Sequence, residues 1–238
     1  MERTKMINKI FIGYDGRQPV SFNVLQQSII ETSKSPVSVT PLVLPQLPLK
    51  RQGLTPFTFS RFLVPYLCDF KGWALFLDID IILCHDITEL FALADDKYAV
   101  MVSKNSIKFE WASVMLFNCA HPANKILMPE FIETANGLHQ INWVADAIIG
   151  DLPREWNHLV GYDAPREDAK LVHYTQGVPA YPETLDSEYA GDWHYVHKKL
   201  NSTLPWVDLM GGSVHACDID GKRMPKYHLN KQQTEVTL

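Results

Sequence analysis

At 238 residues the chain is long enough for one large α/β domain, and its 46% of apolar residues supply a full core and argue against disorder. The formal net charge of -5 is spread along the sequence, with no Lys/Arg run to mark a nucleic-acid or anionic-membrane partner. No apolar run approaches the roughly 20 residues of a bilayer span. The polar start Met1-Glu2-Arg3-Thr4-Lys5 lacks the apolar stretch of a signal peptide, and Cys68, Cys84, Cys119 and Cys217 form no CxxC pair, so a reduced, cytoplasmic setting is expected.

Lys9 to Tyr14 reads as a first strand, followed by a tight loop around Asp15 that Gly13 and Gly16 permit. Pro19 opens a helix whose Val20, Val24, Leu25, Ser28 and Ile29 share one face. Val37 to Val43 is a second strand, and the proline-rich Pro41 to Pro48 stretch excludes regular helix or central sheet. Thr58 to Leu67 is predicted helical despite Pro65, and Trp73 to Asp80 is a buried strand. A short helix follows over Ile87 to Leu93, with Asp86 or Thr88 as its cap, then strands at Tyr98 to Val102 and Val114 to Phe117. This alternation of strand and helix predicts a mostly parallel sheet covered on both faces. Beyond residue 135 the pattern loosens. Trp143 to Ile149 is predicted helical, Trp156 to Val160 is short and apolar, Lys170 to Val172 is a short strand with His173 at its end, and Ser187 to Leu200 is an amphipathic helix. No linker divides the chain, so residues 1–238 are expected to form one domain, with a core over about 8–200 and an extension over about 201–238 whose last residues fray.

The most informative motif is Asp78-Ile79-Asp80 after the apolar run Trp73 to Leu77. Two carboxylates two positions apart converge on one point if the strand stays extended or if a tight turn wraps them around it. Such a pair is costly without a positive charge between them, and Mg²⁺ or Mn²⁺ suits carboxylate oxygens. The alternative is a pair of turn or capping carboxylates.

The combination of Arg61, Leu75-Phe76-Leu77-Asp78-Ile79-Asp80-Ile81-Ile82, Asp86-Ile87 and Leu90-Phe91 resembles the signature of the family 8 and glycogenin-like glycosyltransferases, across roughly residues 8 to 182. The resemblance implies a GT-A fold of α/β class with a Rossmann-like, mostly parallel central sheet and helices on both faces. It implies a hexosyltransferase that takes a nucleotide diphosphate sugar, UDP-linked by analogy, to a carbohydrate or other hydroxyl acceptor with retention, using Mn²⁺ or Mg²⁺ on an Asp-x-Asp motif. Ile12-Gly13-Tyr14-Asp15 falls where that family grips uracil and ribose, or is an ordinary strand-to-helix turn. His173 to Pro179 resembles its third metal-ligand motif, which makes His173 a ligand beside Asp78 and Asp80 and brings Gly177 close to the donor; the alternative is a structural histidine. Ile12, Tyr14, Asp15, Arg61, Asp78, Ile79, Asp80 and Gly177 are thus the expected nucleotide-sugar residues.

The departures are specific. Gly177 stands one position later than the family's glycine, and Pro179 occupies the place of its diphosphate-binding lysine. Arg61 is then expected to grip phosphate, a guanidinium being able to hold two oxygens at once, unless it is a surface ion pair. Val144-Ala145-Asp146 stands where the family has an Asp-Gln segment, so Asp146 is expected, with Arg61, to be a catalytic residue that orients the donor sugar or assists the reaction; the alternative is a solvated carboxylate. Trp111 replaces a common asparagine and, with Trp156, is assigned to the acceptor, although tryptophans are more often core. Asp218-Ile219-Asp220 reads as a turn, His194 and His197 as a solvated helix face, and Asp95-Asp96 as a loop. Two rivals stand beside this reading. One is a haloacid-dehalogenase-type phosphatase or phosphotransferase, although its motif normally lies on the first strand and not on about the third. The other is a nucleotide-sugar-binding protein without turnover.

Overall fold

The computed structural model describes residues 7–205 and 208–209. The polar start, Cys217, the Asp218-Ile219-Asp220 turn and nearly all of the expected extension lie outside the described residues. The chain divides into two compact units, Met1–Leu200 and Asn201–Leu238. Every strand described below lies in the first.

In chain order the elements are β1 (Asn8–Gly13), α1 (Pro19–Thr32), β2 (Val37–Leu42), α2 (Val64–Leu67), β3 (Trp73–Leu77), β4 (Ile81–Leu83) and α3 (Thr88–Phe91). They continue with β5 (Val100–Val102), β6 (Val114–Asn118), α4 (Pro129–Thr134), β7 (Ile149–Asp151), β8 (His158–Leu159), β9 (Leu171–His173) and α5 (Ala190–Leu200). Six strands form the central sheet in the order β2-β1-β3-β6-β5-β7, and three form a second sheet, β4-β9-β8. In the central sheet β2/β1, β1/β3 and β5/β7 pair parallel, while β3/β6 and β6/β5 pair antiparallel. The sheet is mostly parallel, as expected. The two antiparallel pairings follow from the link between β5 and β6, which has only short 3-10 turns and no crossover helix, so the chain returns reversed. The β1-to-β2 and β2-to-β3 connections travel in opposite directions across the sheet. With the right-handed crossovers that parallel strands adopt, they cover opposite faces.

Local sequence explains most elements. Pro19 sits in the first turn of α1, where its missing N–H is no loss, and Ser21, Phe22, Val24, Leu25, Ser28 and Ile29 form the buried face. The buried Ser28 hydroxyl donates to the Leu25 carbonyl (2.8 Å) and accepts from the Leu83 N–H (3.1 Å), which ties α1 to β4. Pro41 is tolerated because β2 is an edge strand. Residues 60–67 form a 3-10 turn running into α2, with Pro65 in the opening turn of the α segment. Ala74 to Leu77 are fully buried between β1 and β6, which accounts for their unbroken apolar run. Asp86 caps the turn into α3 through the Thr88 N–H (3.0 Å) and hydroxyl (2.8 Å).

Two expectations fail. The strand does not continue to Asp80: β3 stops at Leu77, residues 78–80 bend, and Ile81 begins β4 in the other sheet. Trp143 to Ile149 is not a helix. It is a turn and a 3-10 segment, Asp146–Ile148, leading into β7, because Ile149 is required to pair with Val100. Edge pairing overrides local helix preference there.

Gly13 marks the junction of fold and site. A Cβ there would lie 2.4 Å from the Phe57 ring, which is itself buried, so only glycine lets this aromatic close over the end of β1. Gly13→Ala is expected to cost about 1–3 kcal/mol of stability, the usual penalty of overpacking, read as a lower urea midpoint at unchanged m-value.

Candidate metal centre

Asp78 and Asp80 lie where the chain crosses from one sheet to the other. The Asp78 N–H still donates to the Ser113 carbonyl (2.9 Å), the last rung of the central sheet on that side, whereas the Asp80 carbonyl already accepts from Tyr174 N–H (2.9 Å) in the second. The bend between these two anchors turns both carboxylates toward one point. His173 is brought there by the β4/β9 ladder, in which Ile81 pairs with His173. One ligand atom each from Asp78, Asp80 and His173 falls within 4.8 Å of the others, and this is the only such cluster of metal-ligating side chains among the described residues. His173 Nε2 lies 3.3 Å from Asp80 Oδ1.

Asp78 and His173 are buried, Asp80 is half-buried, and the cluster is incompletely satisfied. Asp78 is 9% exposed and His173 2%. Asp78 Oδ1, Asp80 Oδ1 and His173 Nδ1 have no hydrogen-bond partner. Two carboxylates and an imidazole, each with an orphaned buried atom, form an oxygen and nitrogen donor set that fits a divalent cation such as Mn²⁺ or Mg²⁺.

Burial pushes the Asp78 carboxyl up to about 7, with Asp80 adding to the rise and Arg61 opposing it. For His173 burial presses downward, but Asp80 first, then Asp78 and Glu110, outweigh it and hold the imidazole up at about 9. A cation at this point would have to displace the protons that these two side chains hold.

Arg61 is not placed to grip phosphate with a free guanidinium fork. It is buried, and Nη1 donates to Asp78 Oδ2 (3.2 Å) and to the Ala112 carbonyl (2.7 Å), while Nε donates to the Phe57 carbonyl (3.4 Å). Nη2 stands 2.9 Å from Asp78 Oδ1, off hydrogen-bond alignment but close enough for charge compensation. The Phe76 ring lies 5.0 Å and the Phe57 ring 5.5 Å from its central carbon. Its alternative as a surface ion pair fails as well. The partner is Asp78 and the pair is buried.

Two further assignments are corrected. Asp146 lies at the wrong end of the sheet. β7 runs in the same sense as β3, and Ile149 is level with Val100, Phe117 and Ala74 through successive pairings. Asp146 precedes that level and is exposed, whereas Asp78 follows Ala74 by four residues, on the order of 13 Å at strand rise. Along the sheet Asp146 therefore lies on the other side of the Ala74 level from Asp78. Trp156 is 1% exposed in the main core with the Lys170 ammonium 5.2 Å from its ring centroid, so it presents no open face to an acceptor.

The remaining expected residues have definite places. Ile12 is fully buried in β1, so only its backbone is available. Tyr14 is half-buried and packs edge-on against Phe22 at 5.6 Å. Asp15 is buried and accepts from Arg17 N–H (3.0 Å) and Nε (2.9 Å), and this pairing holds its carboxyl below the usual range. Tyr14 and Asp15 follow β1 at the same end of the sheet as Asp78, because β1 and β3 are parallel. Ile79 is buried in the bend. Gly177, at φ 111°, closes the turn after His173 by donating to the Tyr174 carbonyl (2.9 Å). Trp111 is half-buried and donates from Nε1 to the Asn105 carbonyl (2.9 Å). The His194 and His197 pair is half-buried on α5, with His197 stacked 5.0 Å from the Trp193 ring, and belongs to no group of three metal-ligating side chains among the described residues. Sequence reasoning missed Glu110, whose Oε2 lies 3.9 Å from His173 Nδ1, and Asn157, whose side chain donates to Glu110 O (3.2 Å) and Ser113 Oγ (3.0 Å). A carboxylate inside the apolar Phe109-Glu110-Trp111-Ala112 run was the available signal.

The fold is that of GT-A-type glycosyltransferases. The bifunctional glycosyltransferase WbbM superposes with a TM-score of 0.66 at 14% identity over 87% of this chain, which spans 51% of the WbbM chain. The glycosyltransferase GlyE of Streptococcus pneumoniae TIGR4 gives 0.61 at 16% identity, over 81% of this chain and 60% of its own. The galactosyltransferase LgtC gives 0.57 at 10% identity, over 84% and 99%. No helix among the described residues is long and apolar enough to cross a membrane. No protein-family profile matches the chain. Protein CDI of Arabidopsis thaliana is 38% identical over 219 residues, 78% of this chain and 84% of the relative, and the chain belongs to the family of that protein.

Proposed function

We propose that this protein is a divalent-metal-dependent glycosyltransferase of the family 8 kind. It would move a sugar from a nucleotide diphosphate donor, a UDP-sugar, to a hydroxyl acceptor with retention at the anomeric carbon. The observation that carries this reading is the largely buried Asp78, Asp80 and His173 cluster at the sheet crossing of a GT-A-type fold. The phosphatase alternative is weaker, because the motif follows the third strand and the structural neighbours named above are glycosyltransferases.

Asp78, Asp80 and His173 are the residues that would hold Mn²⁺ or Mg²⁺, which when bound supplies Lewis-acid neutralisation of the diphosphate leaving group. The reaction breaks the bond from the anomeric carbon to the diphosphate oxygen, forms one to the acceptor oxygen and releases the acceptor's hydroxyl proton. Arg61 compensates Asp78 from behind. The backbone of Ile12 to Asp15 and the turn at Gly177 are assigned to the nucleotide and donor, and Trp111, beside Glu110, to the acceptor. Asp146 and Trp156 take no part.

Two measurements test this. In calorimetry the wild type should bind UDP in Mn²⁺ and not in EDTA. Asp80→Ala should weaken the Mn²⁺-dependent binding by more than about 100-fold, beyond the 10–100-fold usual for an outer-shell change. Wild-type binding that ignores the metal would sink the proposal. The second test uses pH. Both raised pKa values mean that the metal-free fold binds more protons than the unfolded chain. Their stabilisation is therefore greatest at acid pH and is lost as pH rises through about 7 for Asp78 and about 9 for His173. Metal binding requires both groups deprotonated. The melting-temperature gap between Mg²⁺-loaded and EDTA-treated protein should widen from about pH 6 to about pH 8.5. A constant gap would contradict these residues as ligands.

A further inference from the structure

The imidazole of His173 is addressed from both sides. Nε2 faces Asp80 at 3.3 Å, and Nδ1 faces Glu110 Oε2 at 3.9 Å. Nδ1 is buried without a hydrogen-bond partner, which is uncommon for a ring nitrogen in a folded interior. At 3.9 Å the Glu110 contact is not itself a hydrogen bond. A movement of about 1 Å by the carboxylate, or one bridging water, would make it one.

Glu110 is not a loose surface group that happens to lie nearby. Its side chain is 18% exposed, and its carbonyl accepts from Ser113 Oγ (2.6 Å) and Asn157 Nδ2 (3.2 Å). Its N–H donates to the Ile107 carbonyl (2.8 Å). Asn157 is fully buried and also donates to Ser113 Oγ, and the Ser113 carbonyl receives the Asp78 N–H. Glu110 and Asp78 therefore hang from one buried polar frame at the end of β6, while His173 reaches the same point from the second sheet.

A neutral imidazole offers a metal only the nitrogen that lacks a proton, and the partner of the other nitrogen decides which that is. A proton on Nε2 would point at Asp80 and block the cluster. We propose that Glu110 is the positioning carboxylate of this centre: it takes the Nδ1–H of His173 and so leaves the Nε2 lone pair toward Asp78 and Asp80 for the cation. This rests on the reading of Asp78, Asp80 and His173 as a metal site.

The test uses the full chain with Mg²⁺ as a diamagnetic probe and Mn²⁺ for affinity. Glu110→Met keeps the side-chain length and removes the acceptor, while Glu110→Gln keeps an acceptor oxygen. In ¹⁵N-histidine-labelled wild type with Mg²⁺, long-range ¹H–¹⁵N spectra should show His173 protonated at Nδ1. Glu110→Met should lose that single tautomer and bind Mn²⁺ about 10–100-fold more weakly by electron paramagnetic titration. Glu110→Gln should restore the tautomer and most of the affinity. Unchanged tautomer and affinity in Glu110→Met would overturn the role of Glu110 while leaving the metal site standing. Wild-type Mn²⁺ binding that is absent, or unaffected by Asp80→Ala, would overturn the metal site and this role with it.

Discussion

The buried pairing of Asp78 with Arg61 is the constraint on which the rest of the site depends. A carboxylate at the end of a fully apolar strand is tolerated because a guanidinium stands behind it. That guanidinium is in turn fixed by the Phe57 and Ala112 carbonyls and flanked by Phe57 and Phe76. Phe57 reaches its place only because position 13 is glycine. The end of β1, the 3-10 turn before α2, the end of β3 and the loop before β6 thus converge on one charge. Removing Arg61 would leave Asp78 uncompensated, which is worse than having neither charge.

The sheet crossing explains why two aspartates with one residue between them suffice as a nucleus. One anchor belongs to the central sheet and the other to the β4-β9-β8 sheet, so the bend cannot relax without breaking a backbone bond at one end. The second sheet then delivers His173 by register. Shifting β9 by one residue would send its side chains to the opposite face and remove the imidazole altogether. The small second sheet thus sets the geometry of the site.

The legible parts of the sequence were those whose cause is local. β1, α1, β3 and α5 show in apolar periodicity and proline placement, and Asp78 and Asp80 show because two carboxylates after a buried run need an explanation. His173 was reached only through family resemblance, since nothing local says which histidine β9 will carry to β4. For Asp146, motif order does not reveal which end of a sheet the segment occupies. That depends on strand direction, and β7 enters upward from the far end. Trp156 misled because aromatic side chains serve core and carbohydrate equally well until burial decides. From sequence Arg61 reads as a phosphate grip, because nothing local shows that Asp78, 17 residues on in the chain, claims its guanidinium. Glu110 and Asn157 sit at 3-10 turns, whose side-chain directions follow no period.

The charge balance of the centre ties these features together. Asp78, Asp80 and Glu110 contribute three formal negative charges, and Arg61 contributes one positive charge. Two more positive charges are needed in a place where an unbalanced charge is costly. Without metal, protons can supply them: burial pushes the Asp78 carboxyl up, and, against burial, Asp80, Asp78 and Glu110 hold the His173 imidazole up, so both groups favour their protonated forms. A dication supplies the same two charges once both protons have left. The polypeptide therefore need not rearrange to stay neutral when the ion enters, since Arg61 already holds Asp78 and the two sheets already hold Asp80 and His173. On the proposed reading such a centre would be shaped by folding and filled afterwards, and its affinity for a cation would be governed by proton competition more than by the cost of ordering the chain.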